Sequence, residues 1–293
     1  MIESSRGSSD VAAEPSRLWH RYVAIGDSFT EGMSDADPVR AGAYIGWADR
    51  LAAHLGQQAA QAGEQFGYAN LAIRGRLLAD IVGPQTDAAL ALEPDLVSIV
   101  GGGNDILRAR ADIDALAAQL EDAVARIRAT GADVLMATPT DPKDAPLVKV
   151  TRGRVATYIA HIWSIAHRHG AYVLDQWGMT ALQDWRMWAE DRIHMTSEGH
   201  RRVAAAAFQT LGFTPDDVEW STPLPPAAPI GRRDAVVANA RWARQYVGPW
   251  VQRRLRGTSS GDGITAKRPQ VLPIDAEPAA TDNWGHHPLA GDC

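Results

Sequence analysis

Five short apolar runs mark the chain at 22–25, 68–71, 96–100, 134–137 and 172–174, and each reads as a buried strand. Between them, hydrophobic residues recur at helical spacing. In 112–131, Ile113, Leu116, Leu120, Val124 and Ile127 fall on one face, with Asp112 placed to cap the start and Gly131 to end the helix. Segments 42–56 and 150–170 carry similar patterns. Strands alternating with helices predict a mainly parallel five-stranded sheet between two helical layers, an α/β three-layer sandwich. Such sheets bind ligands beyond the carboxyl ends of their strands.

The pattern changes after about residue 215. Residues 216–231 are a proline-rich connector, extended and semi-rigid. Residues 232–256 read as a basic amphipathic helix. Val236, Ala240, Ala243, Val247 and Val251 share a face, and Gly248-Pro249 should kink it. The favoured reading docks its apolar face on the main domain. The sharper one holds it at an anionic membrane surface through Trp242, Tyr246, Trp250 and its arginines. Residues 257–293, rich in Gly, Pro, Ser and Asp, read as a disordered tail, and 1–17 as a flexible N-terminus. That leaves 18–215 as the single large domain.

At 293 residues and 45% hydrophobic content the chain can bury such a core. A net charge of −6 argues against general nucleic-acid binding. The one cysteine, Cys293, rules out an intrachain disulfide, and the N-terminal stretch has no apolar signal-peptide core. The expectation is a cytoplasmic monomer.

Candidate chemistry sits at the ends of the predicted strands. Gly26-Asp27-Ser28 follows the first, at a turn that would expose a serine hydroxyl and its N–H. Asn70-Leu71-Ala72-Ile73-Arg74-Gly75-Arg76 follows the second, and Gly101-Gly102-Gly103-Asn104-Asp105 the third. Further on, Asp191-Arg192-Ile193-His194 sets an acid three residues before a histidine, ahead of a helix that Thr196 can cap and Glu198 can support. These four segments, in this order over about residues 20–212, resemble the blocks of the SGNH, or GDSL-type, hydrolases.

The resemblance implies a flavodoxin-like fold and a serine esterase that needs no cofactor. It makes Ser28 the nucleophile, His194 the general base and Asp191 the carboxylate that orients the imidazole. The N–H groups of Gly75 and Ser28 and the side-chain amide of Asn104 become the oxyanion-hole donors. Asp27 and Asp105 are assigned to loop scaffolding through bonds to nearby N–H groups. His200 is assigned to packing on the last helix. A metal site of Asp191, His194 and His200 is rejected, because a zinc helix would space its histidines four apart.

The implied substrate is a small-molecule acyl ester, whether short-chain, carbohydrate or lipid, with specificity set by loops 33–44, 141–149 and 176–190. Trp177, Trp185 and Trp188 in the last loop are read as core before they are read as a pocket. Two other readings remain open. An acyltransferase would use the same three residues with an alcohol or amine in place of water, and an idle binding module would act through the basic helix and tail.

Overall fold

A computed structural model describes residues 17–39, 42–145, 148–228, 231–249, 252 and 259–274. The expected flexible N-terminus up to residue 16, the end of the basic helix with Trp250, Val251, Arg253 and Arg254, and the tail beyond 274 lie outside the described residues. Five parallel strands appear where the apolar runs predict them: β1 (Arg21–Ile25), β2 (Gly67–Asn70), β3 (Leu96–Ile99), β4 (Asp133–Ala137) and β5 (Tyr172–Leu174). The helices are α1 (Ser28–Glu31), α2 (Trp47–Gln61), α3 (Leu78–Asp80), α4 (Thr86–Leu90), α5 (Gly103–Ile106), α6 (Ile113–Ala129), α7 (Arg152–His169), α8 (Ser197–Thr210) and α9 (Arg232–Trp242).

Both sheet faces are covered, which is why the strand sequences are continuously apolar rather than alternating. Tyr22 and Ala24 of β1 join a core with Trp47 and Leu51 of α2 and Val203 and Phe208 of α8. Val23 and Ile25 point the other way, to Leu120 and Val124 of α6 and Ile162 and Ile165 of α7. β1 lies at the centre, with Tyr22 opposite Leu96 on one side and Tyr68 on the other. The carboxyl ends of β1, β2 and β3, each followed by a candidate segment, are therefore neighbours.

Two expectations need correction. The sheet has six strands, in the order β5-β4-β3-β1-β2-β6, because Arg268–Pro273 forms an antiparallel β6 beside β2. This strand lies inside the segment read as a disordered tail. Pro269 and Pro273 conceal it in sequence, but an edge strand with one unpaired side tolerates proline. The second correction concerns α2, which begins at Trp47 rather than near residue 42. Gly46 passes directly against Gly32, which has φ +91° where α1 ends, and a β-carbon at Gly46 would overlap the Gly32 backbone. That close approach holds 42–46 out of the helix.

The last strand is anchored by the side chains at its start. Lys267 Nζ donates to Glu31 O (2.6 Å), Tyr44 O (3.1 Å) and Asp49 Oδ2 (2.6 Å), and Arg268 Nε donates to Tyr68 O (2.7 Å). Replacing Lys267 with Met removes the donor from Glu31 O and Tyr44 O and the counter-charge from Asp49 at a largely buried site, with an expected loss of about 2–4 kcal/mol of stability. Urea unfolding at neutral pH measures it. A variant as stable as the parent would show that the tail is not part of the folded unit.

Candidate active site

The site begins where β1 stops. Gly26 is held by the Gln85 amide, which accepts from Gly26 N–H (2.8 Å) and donates to Gly26 O (3.0 Å). Ladder bonds continue past the strands, from Val100 N to Ile25 O and from Ile73 N to Gly26 O, both at 3.2 Å. Asp27 is extended, and its Oδ1 caps α1 by accepting from Phe29 N–H (3.1 Å). Ser28 is thereby the first residue of the helical turn, half-buried, with its N–H outside the helical ladder.

The segment after β2 is tied to the same turn. Buried Asn70 donates to Thr30 O (2.9 Å), Arg74 N–H donates to Glu31 Oε2 (2.7 Å), and the Arg74 guanidinium pairs with the Glu31 carboxylate. Gly75 follows with φ +71°, a left-handed conformation that favours glycine. After β3, Gly102 turns the chain at φ +95° with Tyr158 beneath it, where a β-carbon would overlap the phenol ring. Asn104 Nδ2 donates to Arg76 O (3.0 Å) and to Asp27 Oδ2 (3.3 Å). Asp105 Oδ2 accepts from Leu78 N–H (2.9 Å), so both acids assigned to scaffolding do that work.

The fourth segment is a tight loop. Asp191 Oδ1 accepts from the N–H of Ile193 (2.9 Å) and of His194 (3.0 Å), while its Oδ2 lies 2.5 Å from His194 Nδ1. An ionised carboxylate only accepts, so Nδ1 carries the proton, and Nε2 of the neutral ring keeps its lone pair. Arg192, between the two, sits at φ +59°, which costs a side-chain-bearing residue about 1–2 kcal/mol. Thr196 caps α8 by accepting from Gly199 N–H (3.3 Å), which fixes the far end of the loop.

Electrostatics connect these parts. Burial pushes the Asp27 carboxyl up to about 6, opposed by the Phe29 N–H and by the positive charge His194 can carry. His194 thus lies within electrostatic reach of the residue next to Ser28. Burial also raises Asp191, but the hydrogen bond and charge of His194 outweigh it and hold that carboxyl below its ordinary value. His200 is separate. It is buried on α8, accepts from Trp47 N–H through Nδ1 (3.2 Å), and burial drops it to about 3, so it stays neutral.

Residues 24–202 match the GDSL-like Lipase/Acylhydrolase family. The chain belongs to that family. It is accordingly a carboxylic ester hydrolase with the SGNH α/β fold. Among solved structures it is similar to the acetylxylan esterase Axe2 from Geobacillus stearothermophilus, at 22% identity, covering 66% of this chain and 94% of that one, with a TM-score of 0.54. LAE5, an α/β hydrolase from the metagenome of Lake Arreo, Spain, gives 25% identity, coverages of 66% and 95%, and 0.55. TesA gives 23%, coverages of 66% and 98%, and 0.51. Comparison with curated proteins gives no match.

The family match stops before α9, yet α9 and the turn after it reach the Asp191 loop. Trp242 Nε1 donates to Asp191 O (2.9 Å), Tyr246 OH donates to Glu190 (3.0 Å), and Arg192 donates to Asn239 (2.7 Å). The Arg192 guanidinium also lies over the rings of Trp242 (4.9 Å) and Trp185 (5.7 Å). Two of the aromatic residues named for membrane contact therefore hold the Asp191 loop. The expected docking of the apolar face needs correction: Val236, Ala240 and Ala243 are exposed, and the helix is held by its aromatic and polar side chains instead. Among the described residues, no helix is long and apolar enough to cross a membrane. The three tryptophans of 176–190 divide: Trp188 packs beside the core and donates to Leu182 O (2.7 Å), Trp177 lies under Arg152, and Trp185 is 41% exposed.

Sequence reasoning did not find Gln85 or Ser259, whose hydroxyl donates to Gly75 O (3.2 Å), and it gave Arg192 and Trp242 no part in holding the site. Gln85 lies in a π-turn, Ile81–Gln85, that follows no simple helical period.

Asp27 has a pH signature. Its folded value is raised, so the stability it supports is full below the unfolded value near 3.8 and is lost as pH rises through about 6. Asn at this position cannot ionise. Between pH 4 and pH 8 the stability of Asp27→Asn should gain on the parent by about 2–3 kcal/mol. Urea titrations across that range check it; a pH-independent difference would show that Asp27 is not raised.

Proposed function

We propose that the protein hydrolyses acyl esters through an acyl-Ser28 intermediate. The observation that carries this reading is the Asp191–His194 pair, which leaves Nε2 with its lone pair and lies within electrostatic reach of Asp27, the residue before Ser28. In this mechanism His194 Nε2 takes the Ser28 hydroxyl proton as Oγ attacks the ester carbonyl. Asp191 holds the ring with Nδ1 protonated and stabilises the imidazolium. The carbonyl oxygen becomes an oxyanion that receives the N–H groups of Ser28 and Gly75 and the Asn104 amide. One Asn104 hydrogen stays on Arg76 O; the other, at 3.3 Å from Asp27, is the one a stronger acceptor would draw. Collapse of the intermediate breaks the ester C–O bond, and the imidazolium returns its proton to the departing alcohol. Water, deprotonated by His194, then releases the acid and frees Ser28.

The substrate meets an apolar rim. Ile193, next to the base, is 51% exposed, and Trp185 lies near it beneath Arg192. We infer that these two contact the acyl group or alcohol. A short acyl ester of a carbohydrate is the first natural class to try, given the acetylxylan esterase among similar folds. The substrate is a small-molecule acyl ester.

Hydrolysis of p-nitrophenyl esters from acetate to long acyl chains tests the chemistry. Ser28→Ala is expected to lower kcat by about 10³-fold or more while leaving the fold intact. Turnover that survives the substitution would remove Ser28 as nucleophile.

A further inference from the structure

Segment 259–264 lies against the loop that carries Gly75, and it does so at the two peptide groups on either side of that residue. Ser259 Oγ–H donates to Gly75 O (3.2 Å), which fixes the peptide group after Gly75. On the other side, Gly261 is buried against Arg74 O, so closely that a β-carbon there would overlap this oxygen and crowd the Ile73 side chain. Arg74 C=O and Gly75 N–H belong to one planar unit, so whatever fixes the carbonyl fixes the direction of the N–H. The contact is mutual. A β-carbon at Gly75 would overlap Ser259 Oγ.

The turn that delivers these contacts is itself braced. Ser259 N–H donates to Asp262 Oδ2 (2.8 Å), Ser259 Oγ accepts from Gly261 N–H (3.1 Å), and Ile264 N–H donates to Gly261 O (3.1 Å). Lys267 and β6 then anchor the segment on α1, α2 and β2. All of it lies beyond residues 24–202, where the family match ends.

We propose that Ser259 and Gly261 are positioning residues that set the Gly75 N–H for the oxyanion, making the C-terminal segment a working part of the esterase site. This rests on the role given to Gly75 above. The stabilisation a donor supplies depends on its pointing at the place where charge develops, before the reaction begins. Glycine at 75 provides the left-handed conformation but no rigidity of its own. The tail supplies the rigidity.

The test uses the full chain and p-nitrophenyl acetate, with Ser259→Ala, Ser259→Thr and Gly261→Ala beside the parent and Ser28→Ala. Ser259→Ala and Gly261→Ala are each expected to lower kcat by roughly tenfold with KM unchanged, and inactivation by a fluorophosphonate to slow in proportion. Ser259→Thr, which keeps the hydroxyl, should restore most of the rate. Parental kcat in both the Ala variants overturns the positioning role and leaves Ser28 chemistry standing. A loss that appears in KM, or that Thr does not restore, also overturns it by showing general loosening. Parental turnover that persists in Ser28→Ala overturns the underlying reading and this inference with it.

Discussion

The buried carboxylate of Asp27 is the constraint around which the site is arranged. An ionised group out of water is costly unless donors and opposite charge surround it. Here those partners come from three places: the Phe29 N–H of its own turn, the Asn104 amide after β3, and the charge His194 can carry before α8. Each partner that eases the burial of Asp27 is also, or adjoins, a group the proposed chemistry requires. Because Phe29 N–H is bound, α1 starts at Ser28, and the serine N–H is left outside the ladder. Because Asn104 is drawn to Asp27, its amide stays near the serine. Gln85 secures the strand end from which all this is measured.

A family-sized module leaves its loops exposed at the sheet edge, and this chain braces two of them from its C-terminal part. α9 holds the loop between Asp191 and His194, where Arg192 occupies a conformation its side chain disfavours. The offset is visible in the guanidinium, which has two indole faces and the Asn239 carbonyl as partners. Such contacts are worth about 0.5–2 kcal/mol each, comparable with the backbone cost. The second brace lies on the Gly75 loop. A basic helix and a Gly/Ser-rich stretch thus share a purpose in ordering the backbone of the proposed site.

Much of the fold was legible in sequence because it follows from local rules. Tyr22-Val-Ala-Ile with both faces buried reads as a strand from composition alone, and Asp112 caps α6 as its position suggests. Three segments at strand ends and a fourth before α8 were legible because glycines, an amide and an Asp–His spacing mark them. The rest depends on contacts between distant residues. β6 contains two prolines, so its residues deny the strand that the β2 edge permits. Gly46 reads as a helix interior until Gly32 is known to lie against it. Ser259 lies in a segment read as disordered and Trp242 on a helix read for other contacts, and only the partner 184 residues away in one case, and 51 in the other, shows what they hold.

Those separations also govern when the site is completed. Lys267 meets Glu31 O across 236 residues, whereas Asn104 meets Asp27 across 77. Closure entropy grows only with the logarithm of length, so the longer closure costs about 1 kcal/mol more, which a single hydrogen bond offsets. Thermodynamically the tail can therefore afford to be remote. Kinetically it cannot, because distant contacts form late and residues 259–274 are made after the elements they brace. A chain that has folded through α8 holds Ser28, Asn104, Asp191 and His194 on their elements, while the Gly75 peptide groups still lack the partners that fix them. The alignment of that N–H is then a property of the finished chain rather than of the family module within it.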